Sequence, residues 1–471
     1  MTGEIALVGA GLGDPELLTV KALRKIQQAD VVVYDRLINP AILNSCRADC
    51  EKIYVGKMPN YHPVPQDQIE AIMLEKAQDG KNIVRLKSGD PYVFGRGGEE
   101  GSTLKDAGIP FEVIPGITSS IGGLAYAGIP VTYRDLAASF HIYTGRLKNA
   151  EQPVDWATAA KAEGTLVFLM GMAALEEITQ QLIQHGKSAD TPAAIIQWAS
   201  RKQQKTVVGT LATIFDLAKE ANLQPPSLIV VGDVVTRRSK LNFFEERPLF
   251  SLSIAVPYSK KKKITSRLTD LGAEVVELPK PQLEKYDLTL DFASFDQVVF
   301  TDKTSIQVFI ETMKQAKTDW RKLSHLKFVT VGHHTGAELR KKGIESDEHL
   351  TDINELTSTP ETLILGDAQQ IASIKKQQLF GQYQVTHEEK IVPPIHDLWQ
   401  TTDLMYFPNS KAARLFLQAL DQEELEILRQ RKIIVMGQFT KAVFDAADIP
   451  VILTKEPSYE SVLEKILEEM N

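Results

Sequence analysis

Val8-Gly9-Ala10-Gly11-Leu12-Gly13-Asp14-Pro15 is the stretch on which the fold of this chain turns. It follows the apolar run Ile5 to Gly9 and leads into helical spacing over Asp14 to Gln28, so it reads as strand, glycine loop, helix. The glycines permit a tight turn and let a ligand approach bare backbone. A dinucleotide-binding loop would look similar, and Asp35 at the end of the next apolar run imitates the acidic ribose partner of such a loop. The Leu12-Gly13-Asp14-Pro15 continuation and the missing third glycine at the usual spacing count against that reading.

Outward from this loop, short apolar runs bounded by Gly, Pro and Asp alternate with amphipathic stretches, the pattern of α/β units with buried strands. Strands are expected at Ile5 to Gly9, Val31 to Tyr34, Ile83 to Leu86 and Phe111 to Ile114, with a further helix over Gln66 to Gln78. A second block has runs at Phe140 to Thr144, Leu166 to Met170, Ala193 to Gln197 and Leu228 to Val231, separated by helices such as Ala173 to His185 and Leu211 to Ala221. These define a domain over 1–245, with subdomains of about 1–135 and 136–245. The charged stretch Thr236 to Pro248 marks its end, and a second domain over 250–471 opens at Ile254 to Pro257. This second domain carries an internal repeat. Val298-Val299-Phe300-Thr301-Asp302 followed by Val331-Gly332-His333-His334-Thr335 corresponds to Leu404-Met405-Tyr406-Phe407-Pro408-Asn409 followed by Met436-Gly437-Gln438-Phe439-Thr440. Two similar α/β lobes follow from it.

A length of 471 residues calls for two or three domains, and 43% hydrophobic residues supply enough apolar side chains for several cores. A net charge of -8 argues against nucleic acid or an anionic membrane as partner, leaving a local basic cleft as the route to an anionic small molecule. Cys46 and Cys50 have no second pair, so neither a disulfide framework nor a zinc site follows from them, and a reducing cytoplasm fits. The chain begins directly on a strand, with no basic leader and no long apolar run, so a cytoplasmic, untargeted protein is expected.

The glycine loop is joined by Val33-Tyr34-Asp35-Arg36-Leu37, Val55-Gly56-Lys57, Tyr61-His62 with Pro65-Gln66, Arg85-Leu86-Lys87-Ser88-Gly89-Asp90-Pro91, Phe94-Gly95-Arg96-Gly97-Gly98-Glu99-Glu100 and Ile114-Pro115-Gly116-Ile117-Thr118-Ser119. In order and spacing these blocks resemble the tetrapyrrole methylases. The Tyr-Asp-Arg-Leu, Gly-Lys and Phe-Gly-Arg-Gly-Gly-Glu-Glu blocks resemble the uroporphyrinogen-III C-methyltransferase branch in particular. That resemblance implies two α/β subdomains with S-adenosyl-L-methionine in the cleft between them, a homodimer, and no metal. It places cofactor contacts on Leu12, Ser88, Gly89, Asp90, Val93, Thr118, Ser119, Met170 and Ala199. Leu12 stands where the family usually has Pro, Ser88 where it has Gly, and Ala199 where it often has Gly.

The implied reaction is methylation of uroporphyrinogen III at C2 and C7 to precorrin-2, for cobalamin or sirohaem synthesis. Methyl transfer to a ring carbon needs positioning, an exit for a proton and anchors for carboxylates. By resemblance Asp35 is the proton acceptor and Lys57 the donor or carboxylate anchor. Taken alone, Asp35 is a turn residue and Lys57 a solvated lysine. Arg36, Arg85, Lys87, Arg96, Arg134, Arg146 and Lys148 form a basic reservoir, of which Arg36 and Arg96 are the expected substrate contacts. His62 is left out of the catalytic set, and Lys260 to Lys263 read as a solvated face. A methylase of a later corrin precursor and a module that binds NAD without chemistry are the rival readings.

Residues 250–471 resemble uroporphyrinogen-III synthase, which closes hydroxymethylbilane to uroporphyrinogen III. Gly332 with Thr335 and Gly437 with Thr440 match it as carboxylate-holding helix starts. The family's Thr-Ser pair is replaced by Thr301-Asp302 and Pro408-Asn409, and an aspartate facing a polycarboxylate repels it. The two expectations for this domain are therefore a working synthase and a scaffold.

Overall fold

The computed structural model describes residues 2–47, 49–56, 64–145, 154–289, 291–391 and 399–470. Strands β1 (Ile5–Gly9), β2 (Val31–Tyr34), β3 (Glu51–Tyr54), β4 (Ile83–Lys87) and β5 (Phe111–Ile114) form an all-parallel sheet in the order β3-β2-β4-β1-β5. Helices cover both its faces, so Ile5-Ala6-Leu7-Val8 and Val31-Val32-Val33 are buried as continuous apolar runs rather than alternating ones. The helix expected from Asp14 starts later, at Val20–Gln28, with Thr19 Oγ1 accepting from the Ala22 amide at 3.1 Å. Asp14 instead caps a separate short turn, Pro15–Leu17.

Glu112 on β5 ties that strand to helix Val20–Gln28 through Lys21 and Lys25. Partial burial pushes its carboxyl up, but hydrogen bonds from Lys21 and Lys25 outweigh this and hold it at about 2, against an ordinary 4.5. A carboxyl depressed by folding stabilises the fold above its unfolded pKa and loses that contribution as pH falls through the folded value. Glu112→Gln is therefore expected to flatten the stability profile between about pH 4.5 and about pH 2, read by urea denaturation across that range, and to leave the slope above pH 5 unchanged.

β6 (Phe140–Thr144), β7 (Thr165–Leu169), β8 (Pro192–Gln197), β9 (Lys205–Thr210) and β10 (Ser227–Val231) form a mixed sheet in the order β6-β7-β10-β8-β9. β9 has no counterpart in the sequence reading. It is a half-exposed edge strand with a lysine and a glycine, and so lacks the apolar run that marks its neighbours. Helix Ser119–Tyr126 joins the two sheets. A methyl built on Gly123 would lie 2.6 Å from Leu228 Cδ2 and 3.3 Å from Ala199 Cβ, so glycine is what lets the helix lie against the second sheet.

Beyond residue 250, β11 (Ser253–Val256) and β12 (Glu274–Glu277) begin a sheet that is completed only by β19 (Leu404–Phe407), β20 (Lys432–Val435) and β21 (Ile452–Leu453), in the order β12-β11-β19-β20-β21. Between them the chain builds β13 (Gln282–Lys285), β14 (Gln297–Phe300), β15 (Lys327–Val331), β16 (Glu348–Leu350), β17 (Thr362–Asp367) and β18 (Gln382–Lys390), in the order β13-β18-β17-β14-β15-β16. The repeat seen in the sequence falls on β14 and β15 of one sheet and β19 and β20 of the other. One lobe is therefore continuous and the other is made from two separated segments.

The two halves of the chain meet through charge. Arg201 donates from Nε and Nη2 to Glu274 at 3.0 and 2.8 Å, and Lys202 Nζ donates to Asp403 at 3.0 Å and to Ser253 Oγ at 2.7 Å. Among the described residues no helix is long and apolar enough to cross a membrane.

Candidate active site

In the first sheet the chain leaves β1 toward β2 and leaves β4 toward β5, in opposite directions, so a crevice opens at the carboxyl ends of β1 and β4. Both loops that line it are glycine-built. Gly11 and Gly89 each take a φ of +68° and bridge backbone to backbone, with the Gly89 amide donating to Gly11 O at 2.8 Å. The turn after β5 closes on the same point. A methyl built on Gly116 would stand 2.2 Å from Gly89 O and 2.7 Å from Gly9 Cα, so three loops pack there with no room for a side chain. Gly116→Ala is expected to destabilise the fold by about 1–3 kcal/mol and to weaken any ligand of the crevice, because the overlap is with backbone. Gly98→Ala meets nothing within 4 Å and lies in a helix, so it should raise stability by about 0.5–1 kcal/mol. Chemical denaturation of the pair measures both.

The residues expected at the cofactor gather around this crevice to different degrees. Asp90 accepts from the Gly116 amide at 3.0 Å and from the Tyr92 amide at 2.8 Å, so it fastens the loop after β4 to the loop after β5. Ser88 is exposed beside Gly89, and a Cβ on Gly89 would lie 3.8 Å from Thr118 Cα. Thr118 caps helix Ser119–Tyr126 by position, its Oγ1 standing 3.1 Å from Ser120 Oγ. Leu12 packs on this helix at Gly122 and Ala199 at Gly123, which brings β1 and the segment after β8 to one helix. Val93 packs into the apolar cluster shared by that helix and the second sheet. Met170 follows β7 with a φ of +58° and is 46% exposed, while Trp198 and Ser200 flank Ala199 with φ of +47° and +68°. Backbone held in the left-handed region by non-glycine residues is costly and tends to sit at ligand sites.

Asp35 ends β2, next to β4 in the sheet. Its Oδ1 accepts from Arg85 Nη2 at 2.9 Å, and the side chain remains one-third exposed. Arg85 is itself buried and donates from Nε to Glu100 Oε1 at 3.2 Å, the oxygen that also accepts from Lys87 Nζ at 2.8 Å and Gln66 Nε2 at 3.1 Å. Burial, reinforced by the Arg85 charge, pushes the Lys87 ammonium down, and Glu100 opposes this. Arg85 and Lys87 are thus turned inward and do not line a substrate cleft, which corrects their place in the basic reservoir. Sequence reasoning missed Glu100 as the hub. Gly97, Glu100, Gly101 and Leu104 share the buried face of helix Gly97–Asp106, so helical periodicity carried the signal.

Arg36 is exposed beside Asp35, with Gly56 packed so near that a Cβ on it would lie 2.6 Å from the Arg36 amide. Arg96 has its guanidinium on Glu99, and both side chains of the pair are exposed. Lys57, His62, Arg146 and Lys148 lie outside the described residues. In the C-terminal part Thr335 is buried and borders a cavity of about 650 Å3 together with Asp302, Asp367, His387, Lys411 and Arg414. Thr440 is buried at the start of helix Gln438–Asp445 and is not among the residues bordering that cavity.

Two tandem α/β units, the first with a glycine-lined crevice and the second with a cleft between lobes, are what the fold and site define. The family model for tetrapyrrole (corrin/porphyrin) methylases matches residues 4–214, and that for uroporphyrinogen-III synthase HemD matches 262–364. The porphyrin biosynthesis protein HemD of Ruminiclostridium josui is 40% identical over 355 residues, 73% of this chain and 70% of that protein. The siroheme synthase of Pseudomonas fluorescens (strain SBW25) is 53% identical over 243 residues, so the match spans 52% of each chain, about half the length of that relative. Among solved structures, the uroporphyrin-III C-methyl transferase of Thermus thermophilus, in its native form, aligns with 38% identity and a TM-score of 0.43, covering 50% of this chain and 93% of that one. The chain belongs to the tetrapyrrole methylase family, in the form that continues into a uroporphyrinogen-III synthase-type segment.

Proposed function

We propose that residues 1–245 methylate uroporphyrinogen III at C2 and C7 to precorrin-2, with S-adenosyl-L-methionine as the donor, and that residues 250–471 form the synthase-type domain. The observation that carries this reading is the single-sided arrangement of the first sheet. A glycine crevice at the ends of β1 and β4 adjoins a carboxylate, Asp35, pinned by a buried arginine at the end of the neighbouring β2. The crevice fits the donor because the two loops that line it turn on Gly11 and Gly89, both at a φ of +68°, so main-chain atoms are left to meet the ligand. Gly89, Asp90, Thr118, Ser119, Leu12, Val93, Met170 and Ala199, with Ser88 at the rim, would hold it. When bound, the donor supplies an electrophilic methyl group.

Asp35 would take the proton from the methylated ring carbon. Arg85 holds Asp35 Oδ1, which leaves Oδ2 for that transfer and fixes its direction. Lys57, Arg36 and Arg96 would meet the substrate carboxylates, Arg96 after exchanging Glu99 for them. In the C-terminal domain the 650 Å3 cavity, with Thr335, Lys411 and Arg414 on its walls, would receive hydroxymethylbilane, while Thr440, buried and off those walls, would take no part in holding it. A homodimer in the cytoplasm completes the reading. Cys46 and Cys50 are free thiols, as a reducing compartment would keep them.

The test is an anaerobic incubation with S-adenosyl-L-methionine and either uroporphyrinogen III or hydroxymethylbilane, with dimethylated product read by mass and absorbance. Product from both substrates is expected. Product from uroporphyrinogen III alone would make the C-terminal domain a scaffold. No methylation by folded protein would overturn the methyltransferase reading and move it to a later corrin precursor.

A further inference from the structure

Three neighbouring strands of the six-stranded sheet, β18, β17 and β14, run parallel and deliver three ligand-type side chains to one edge. Asp302 follows β14, Asp367 ends β17 and His387 lies on β18, and their ligand atoms stand within 4.8 Å of one another. The pairing of β17 with β18 slips at this point. Gly366 faces Val385 but Asp367 faces His387, so a bulge at Thr386 turns the histidine toward the aspartates.

The hydrogen bonds fix which nitrogen of His387 carries its proton. Thr386 Oγ1 lies 3.0 Å from Gly366 O, a group that only accepts, so its hydroxyl proton is spent there. The same oxygen stands 2.9 Å from His387 Nδ1 and must accept from it. In the neutral ring Nε2 is then a bare lone pair. It belongs to a side chain only 3% exposed, and it points at Asp302 Oδ1 across 3.7 Å, too far for a hydrogen bond. A lone pair facing carboxylates is repelled by them unless the nitrogen takes up a proton or a cation lies between.

We propose that Asp302, Asp367 and His387 bind a divalent transition-metal ion of the Zn2+ class in the cavity of the C-terminal domain. One imidazole and two carboxylates suit such an ion, and a partner fixing Nδ1–H is the usual support of a ligating Nε2. Ligand atoms around a metal at about 2.1 Å stand about 3.0–3.5 Å apart, so the 3.7 Å gap between His387 and Asp302 is nearly closed already. The cavity wall otherwise holds four carboxylates, on Asp302, Asp367, Glu388 and Glu389, against the cations of Lys303, Lys411 and Arg414. A bound divalent ion reverses the sign of that wall, so Asp302 ceases to repel an anionic occupant. The inference goes beyond the proposed reactions and holds whether or not the domain cyclises hydroxymethylbilane.

The experiment is titration calorimetry of the full chain, stripped with a chelator and dialysed, with Zn2+ alone and with Mg2+ alone. Asp302→Asn, Asp367→Asn and His387→Gln are titrated in parallel. Both aspartates also cap helices, through the Ser305 and Gln370 amides, and asparagine caps as well as aspartate, so these variants remove charge without removing the cap. One Zn2+ per chain with micromolar or tighter affinity, weakened at least tenfold in each variant and with Mg2+ binding much weaker, is expected. Equal Zn2+ affinity in the wild type and all three folded variants, or no binding by the wild type, would overturn the site.

Discussion

Asp35→Asn is expected to lower kcat for methyl transfer to uroporphyrinogen III by about 10^2–10^4-fold, the usual contribution of a positioned proton acceptor. Asparagine keeps the size of the side chain and an oxygen for Arg85 but cannot take up the proton. Affinity for S-adenosylhomocysteine should be unchanged, because the glycine crevice is built from the loops after β1, β4 and β5 and Asp35 ends β2. Steady-state kinetics with calorimetric binding of S-adenosylhomocysteine separates the two. A kcat within threefold of wild type would remove Asp35 from the chemistry and leave it the turn residue it resembles in isolation.

Glu100→Ala carries the largest expected loss of stability, about 3–5 kcal/mol, because it strips buried Arg85 and Lys87 of their shared counter-charge. Glu100 is fully buried, and its Oε1 gathers three donors while Oε2 has no hydrogen-bond partner. The neighbouring Glu99 is 57% exposed and pairs only on the surface, so Glu99→Ala should cost about 0–1 kcal/mol. The double variant Glu100→Ala with Lys87→Met should recover part of the loss, since it removes one of the two stranded cations. Urea denaturation of the four proteins tests this. Equal losses at Glu99 and Glu100 would show that the network does not hold the sheet. Loss of kcat in Glu100→Ala at temperatures where it stays folded would show that Arg85 passes the order of the network on to Asp35.

Where each element was legible depended on whether its signal was local. β1, β2 and β5 and helix Gln66–Gln78 lie where the apolar runs and the helical spacing put them, because parallel strands buried on both faces and an amphipathic helix write their patterns into contiguous residues. β3 and β9 went unread, being sheet-edge strands with mixed, half-exposed sequences. Among the candidate site residues, Asp35 and the glycines were picked out through ordered blocks along the chain. The roles of Arg85 and Lys87 were misassigned, since an arginine that anchors a substrate and one that ties down a carboxylate of its own chain read alike until the partner is placed.

By itself, then, the amino-acid sequence determined the α/β class, the strand–glycine loop–helix unit that opens the crevice, the family, and the repeat in the second half. Each of these rests on residues close together in the chain or on blocks in a set order. Tertiary structure alone decided the rest. It closed Gly9, Gly89 and Gly116 on one point across more than a hundred residues, and it made Glu100 the hub of two buried cations. It also completed the β11–β12 lobe with strands from beyond residue 400, and it turned His387 toward Asp302 through one bulge. The physical reason is common to all four: which groups meet depends on strand order, register and burial, which are set by long-range packing, and periodicity names at most the buried face, as at Glu100, and not the partners it meets.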